Sequence, residues 1–180
     1  MKNIFMLIVV LSIFGTTSAM AADTNLYLGA KFGSVSYGYD NVSNNSQAGY
    51  GLIAGFSLNR VFAIEAEYNK LGGFDSNTGI IKGRVFGFSG IGFLPFSREF
   101  SLFGKMGIST STLEDTAKPG VPGGDFTYNN TGLNIGFGGQ FNVGDEVGFR
   151  FGFDFYPVGD STVTTTSTAN MMYIGTVLKF

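Results

Sequence analysis

The chain has 180 residues, a formal net charge of −2, and 13% charged residues, against roughly 25% in ordinary soluble domains. Histidine, cysteine and tryptophan are absent, while glycine accounts for 28 positions and phenylalanine for 20. This composition excludes a disulfide-stapled fold, a zinc site built on His or Cys, a Ser-His-Asp catalytic arrangement and a basic nucleic-acid-binding surface.

The amino-terminus reads as an export signal. Lys2 precedes an apolar run over 4–14, and Ala19-Met20-Ala21 fits a small-x-small cleavage site. The run is too short for a membrane-spanning helix, which needs ~20 residues. The expected organisation is a cleaved signal peptide over 1–21 and one domain over 22–180. Beyond the signal no segment is long and apolar enough to span as a helix, yet the mean hydropathy is positive. Apolar residues spread at a period of two reconcile these facts.

Eight segments carry that period, each with two distinct faces. Over 26–35, Leu26, Leu28, Ala30 and Phe32 oppose Tyr27, Gly29, Lys31 and Gly33. Over 50–58, Tyr50, Leu52, Ala54, Phe56 and Leu58 share a face. Over 62–68, Phe62, Ile64, Ala66 and Tyr68 oppose Ala63, Glu65 and Glu67. The segment 81–93 is strand-like with an unclear phase, which suggests a bulge or a bend. Over 102–108, Leu102, Met106 and Ile108 oppose Phe103, Lys105 and Gly107. Over 133–141, Leu133, Ile135, Phe137, Gly139 and Phe141 oppose Asn134, Gly136, Gly138 and Gln140. Over 147–156, Val147, Phe149, Phe151, Phe153 and Phe155 oppose Gly148, Arg150, Gly152, Asp154 and Tyr156. Over 171–180, Met172, Ile174, Thr176, Leu178 and Phe180 oppose Tyr173, Gly175, Val177 and Lys179.

Tight connections at 58–61, 95–99 and 142–146 alternate with longer polar ones at 37–48, 70–80, 110–127 and 157–170. This interleaving predicts an all-β, eight-stranded, antiparallel up-and-down transmembrane barrel, with short turns at the periplasmic end and four long loops outside the cell. A soluble barrel would point its apolar faces inward, but eight strands enclose too narrow a space for so many phenylalanines. The reversed assignment sends Phe, Leu and Ile to lipid and leaves glycines and a few charges in the lumen. Lys31, Glu65, Glu67, Lys105, Arg150 and Asp154 all fall on that glycine face. There they avoid the cost of about 2–4 kcal/mol for a basic residue facing lipid at midplane. Buried together, they are expected to pair, with Lys31, Glu65, Lys105, Gln140, Arg150 and Asp154 as the lumen cluster.

An amphipathic strand ending in Phe180 resembles the closing strand of bacterial outer-membrane barrels, in which a terminal aromatic residue is an assembly signal. Glu65-Ala66-Glu67-Tyr68-Asn69-Lys70-Leu71-Gly72 resembles the third strand of the transmembrane domain of outer-membrane protein A. Leu28-Gly29-Ala30-Lys31-Phe32-Gly33 resembles its first strand, and Gly138-Gly139-Gln140 followed by Arg150 its sixth and seventh. The resemblance spans most of the chain after residue 21. It implies lumen ion pairs that block or gate the barrel. Glu65, Arg150 and Lys31 match that pattern, Gln140 stands where the family has a second Glu, and Gly90 stands near its lumen Lys. One ion pair is therefore expected to persist and the other to be replaced by neutral residues. The family's peptidoglycan-binding domain has no counterpart after the eighth strand, so no wall-tethering role is expected.

No residue set suits catalysis. Without histidine there is no usual general base, and no catalytic, metal or cofactor site is expected. Loop carboxylates Asp75, Glu114, Asp115, Asp125 and Asp160 read as solvated charges. The expected function is that of a non-enzymatic outer-membrane protein with a structural or surface-interaction, adhesin-like role carried by its loops. A small pore is the alternative, and a lipid-modifying enzyme is a weaker one. Expected partners are the outer-membrane bilayer of a Gram-negative cell, the barrel assembly machinery during biogenesis and a surface ligand at the loops. Nucleic acid is not a partner, and the chain is expected to be a monomer.

Overall fold

The computed structural model describes residues 25–37, 46–75, 79–117, 126–158 and 167–180. The signal segment 1–21, the proline-containing stretch 119–124 and most of the Ser/Thr tract after 160 lie outside the described residues. The strands are β1 (Leu26–Tyr37), β2 (Gln47–Ser57), β3 (Phe62–Asp75), β4 (Gly79–Pro95), β5 (Phe100–Ala117), β6 (Phe126–Val143), β7 (Val147–Val158) and β8 (Ser167–Lys179). Each pairs with its neighbour in sequence, and β8 returns to β1 to close the barrel. The closing seam runs antiparallel from Tyr27 opposite Lys179 to Tyr37 opposite Ala169. At its lower end the Phe180 amide donates to the Leu26 carbonyl at 2.9 Å. Closure leaves no unpaired strand edge, the condition for a sheet to sit in hydrocarbon.

Three short turns join the strands at one end. In the β2–β3 turn, the Asn59 side-chain oxygen accepts from the amides of Val61 and Phe62, both at 2.9 Å. In the β4–β5 turn, Ser97 Oγ accepts from the amides of Glu99 and Phe100 at 3.2 and 3.0 Å. Gly144 opens the β6–β7 turn with a φ of 67°.

At the opposite end the strands run further than their polar sequence suggests. β3 continues to Asp75 and β4 begins at Gly79, while β5 reaches Ala117 and β6 begins at Phe126. Much of the segments read as loops over 70–80 and 110–127 is therefore paired strand. Thr and Ser suit a pleated ladder as well as a loop. Thr110 and Thr131 share a hydrogen bond of 2.9 Å across β5 and β6, and Thr112 donates to Asn129 Oδ1 at 2.9 Å.

The irregularity expected in 81–93 lies elsewhere. β4 pairs with β5 without a break from Gly79 to Pro95. The register shift is in β3, between Lys70 and Gly73, where Gly72 adopts a φ of 72°. The ambiguous phase of β4 has a different cause: both of its faces carry apolar residues. Phe86 and Phe88 point outward, whereas Val85 and Ile91 are buried inside.

The outer surface is an apolar belt containing Phe32, Leu52, Phe86, Phe88, Met106, Ile108, Leu133, Phe137, Phe151 and Ile174, all exposed. Phenylalanine crowds β6 and β7. The Phe137 and Phe153 rings lie 5.7 Å apart, and Phe100 and Phe151 stack at 6.4 Å over Gly139, which is buried although it faces outward.

Candidate functional site in the barrel lumen

Strand phase carries every buried charge inward, and the closed sheet stacks them in two layers. The lower layer centres on Arg150 of β7. Its guanidinium pairs with Glu65 of β3, and its Nε donates to Gln140 Oε1 of β6 at 2.6 Å. The Tyr27 hydroxyl donates to Glu65 at 2.5 Å. The rings of Tyr27, Phe93 and Phe103 surround the guanidinium, with centroids 5.2–5.6 Å from Cζ. Gln140 Nε2 donates onward to Asn142 Oδ1 at 2.7 Å, which also accepts from Lys179 Nζ at 2.9 Å.

The upper layer joins four ionised side chains. Lys31 Nζ lies 2.6 Å from Glu67 and 2.7 Å from Asp154. Lys105 Nζ is 2.9 Å from each of the same two carboxylates. The Tyr156 hydroxyl sits 3.0 Å from Glu67 and 2.9 Å from Asp154, with one proton for the two, and accepts from Asn69 Nδ2 at 3.1 Å. The Tyr173 ring centroid is 4.8 Å from Lys31 Nζ. Gly136 makes this packing possible, because a Cβ there would strike the Lys105 stem at 2.7 Å. Charges balance within each layer: Glu65 answers Arg150, while Glu67 and Asp154 answer Lys31 and Lys105. Such balance is what water-excluded charges require.

Lys31, Glu65, Lys105, Gln140, Arg150 and Asp154 are therefore all luminal and buried, but they form two groups rather than one. Gly90 is not among them. It faces outward with Phe88, and its luminal neighbours are Ser89 and Ile91. The second ion pair is not replaced by neutral residues either, since Lys105 of β5 supplies the cation and Asp154 a carboxylate. Sequence reasoning about the cluster left out the tyrosines. Tyr27, Tyr156 and Tyr173 all sit on the glycine-rich faces of their strands, where a long side chain with a hydroxyl is out of pattern. That contrast was the available signal.

Apolar side chains seal the lumen toward the far end. Val35, Leu71, Val85, Val158 and Met171 are completely buried there, with Leu113 nearly so, and the Tyr37 hydroxyl donates to the Leu71 carbonyl at 3.1 Å. At the short-turn end the lumen opens instead into a vestibule of about 1010 Å³, lined by Tyr27, Phe93, Gln140, Arg150 and Lys179 and ending at the lower ionic layer. Among the described residues, no group of His, Cys, Asp or Glu is placed to hold a metal ion. The lumen holds a fixed electrostatic structure.

The family model described as outer membrane protein beta-barrel domain matches residues 6–180. The chain belongs to this family. Membership places it in the outer membrane, with the apolar belt against the lipid bilayer. A search among curated proteins finds no match. Several solved structures share the fold. Neisserial surface protein A (NspA) superposes with a TM-score of 0.70 at 16% identity, covering 87% of this chain and 98% of that one. Ail, the attachment invasion locus protein of Yersinia pestis, gives 0.64 at 13% identity, with 88% and 100% covered. The N-terminal β-barrel domain of Pseudomonas aeruginosa OprF gives 0.62 at 13% identity, with 87% and 98% covered. At these identities the likeness concerns the fold alone. The outer membrane barrel family thus accounts for the closed eight-stranded sheet and its lipid-facing belt, and it assigns no chemistry to the lumen.

Proposed function

We propose that this outer membrane barrel is a non-enzymatic surface protein whose extracellular hairpins meet a partner outside the cell. In this reading residues 1–21 direct export and are removed. Phe180, bonded at the β1–β8 seam, is the signal read by the barrel assembly machinery, and the finished barrel is a monomer. The observation that carries the reading is the contrast between the two parts of the molecule. The lumen is packed with balanced ion pairs beneath an apolar seal, whereas β4, β5 and β6 rise beyond the lipid belt as paired, polar-faced strands. A rigid scaffold that presents exposed segments is where binding usually resides.

Ail, which shares the fold, is an attachment invasion locus protein and has been crystallised with the heparin analogue sucrose octasulfate. Here the segments 38–46, 73–81, 112–128 and 159–167 contain Asp40, Asp75, Glu114, Asp115, Asp125 and Asp160 against Lys118 alone, so a sulfated polysaccharide is a poor fit to them, and a protein or neutral glycan surface suits them better. A pore is the weaker reading, since the ionic layers and the seal both stand in its path.

Replacing 38–46, 73–81, 112–128 and 159–167 with short turns tests the proposal. Cells displaying the intact chain should adhere to host-cell or matrix surfaces, and cells displaying the trimmed barrel should not. Equal adhesion by a trimmed barrel that still shows heat-modifiable gel migration would contradict it.

A further inference from the structure

Three exposed cations stand together at the outer rim of the lipid belt. Lys70 of β3 and Arg84 of β4 are registered partners, and Lys82 follows on the same outward face of β4. The pair immediately below, Tyr68 and Phe86, tops the apolar belt on this side. On other strands the first outward residues beyond the belt are Ser34, Ala48, Thr110, Thr131 and Asn170, none of them charged. Positive charge at this level is thus confined, among the described residues, to one side of the barrel. Glu114 pairs with Arg84 and leaves a surplus of positive charge, and Lys70 Nζ lies 5.7 Å from the ring centroid of Tyr50.

A second, independent feature lies directly beneath. Ala54 and Ala66 face each other across β2 and β3, and these two methyl-sized side chains leave a slot of about 400 Å³ walled by Leu28, Leu52, Tyr68 and Phe86. The slot is apolar, faces the bilayer, and its upper wall is the Tyr68–Phe86 pair directly beneath the cations. An anion held above and a hydrocarbon chain held below, on one vertical line, is the outline of a phosphorylated lipid. Lysine and arginine bind phosphate oxygens by charge-assisted hydrogen bonds, and basic residues at a membrane surface attract anionic headgroups.

We infer that the β3–β4 side of this barrel is a binding site for one phosphorylated lipid of the outer leaflet. Its phosphate sits among Lys70, Lys82 and Arg84, and one acyl chain lies in the slot over Ala54 and Ala66.

The test uses the full barrel reconstituted in phosphatidylcholine nanodiscs doped with either bisphosphorylated lipid A or its dephosphorylated form, with retained lipid counted by native mass spectrometry. The wild-type chain should retain the phosphorylated lipid in preference to the dephosphorylated one. The K70Q/K82Q/R84Q variant, altered only at exposed positions, should lose about tenfold or more of that retention, and K70R/K82R should keep it. Ala66→Phe, which fills the slot, should lower retention of both lipids. Equal retention of the two lipids by the wild-type chain, or unchanged retention by the triple glutamine variant, would overturn the inference. So would inorganic phosphate displacing the lipid while Ala66→Phe has no effect, which would mean a free-anion site rather than a lipid site.

Discussion

Asp154 shows how a single residue ties the lumen together. One of its carboxylate oxygens lies within 2.9 Å of both Lys31 and Lys105, and its side chain is fully excluded from water. Removing one partner from a buried ion pair leaves an uncompensated charge, at a cost of about 3–5 kcal/mol. Asp154→Asn should therefore lower the barrel's unfolding free energy by about 3 kcal/mol in urea titrations from lipid vesicles. Asp154→Asn combined with Lys105→Met, which restores the balance against Glu67, should recover most of that loss. A single variant as stable as the parent would show that the carboxylate does not neutralise the lysines. Lys105 and Asp154 were legible in the sequence as charges on glycine faces. Their meeting was not, because it depends on how far each strand is staggered around the closed sheet, and strand phase fixes the face but not the height.

At the scale of elements, most strands could be read from alternation alone, because one face meets lipid and the other a narrow polar interior. β4 could not. Phe86, Phe88 and Leu94 point out to the bilayer, whereas Ile91 points into the lumen and Val85 into the seal, with Arg84 and Lys82 pointing out to water above. Once a strand leaves the membrane, the solvent outside changes from hydrocarbon to water and the hydrophobic pattern inverts. A fixed-phase reading therefore sees a defect where the backbone is regular. The same change of solvent explains why the Thr- and Ser-rich extensions of β5 and β6 looked like loops. The true irregularity, at Gly72, falls where β3 crosses this boundary. With φ at 72° and a would-be Cβ 2.6 Å from the Ala48 carbonyl oxygen, Gly72→Ala should cost about 1–2 kcal/mol. Gly104→Ala, where a Cβ meets nothing within 4 Å, should cost far less. Urea midpoints for the two variants would check this, and equal midpoints would refute it.

The whole molecule combines a filled, charge-balanced interior with two unlike ends. The short-turn end holds a vestibule that stops at Arg150, and the other end carries strand extensions above an apolar seal. That arrangement supports the proposed reading, in which function lies on the outer surface and the hairpins. The fold was readable from composition and period, whereas the partner was not, because the proposed recognition lies in segments whose polar sequence fits many ligands. The proposed function requires the extended ends of β3 to β6 to face the outside of the cell. The chain has no native cysteine, so single substitutions report position without background. Thr127→Cys, on the β6 extension, and Arg98→Cys, in the β4–β5 turn, should be treated on intact cells with a membrane-impermeant maleimide. Thr127→Cys should label on intact cells, and Arg98→Cys only after the outer membrane is permeabilised. Labelling of Arg98→Cys on intact cells, with Thr127→Cys protected, would contradict that orientation.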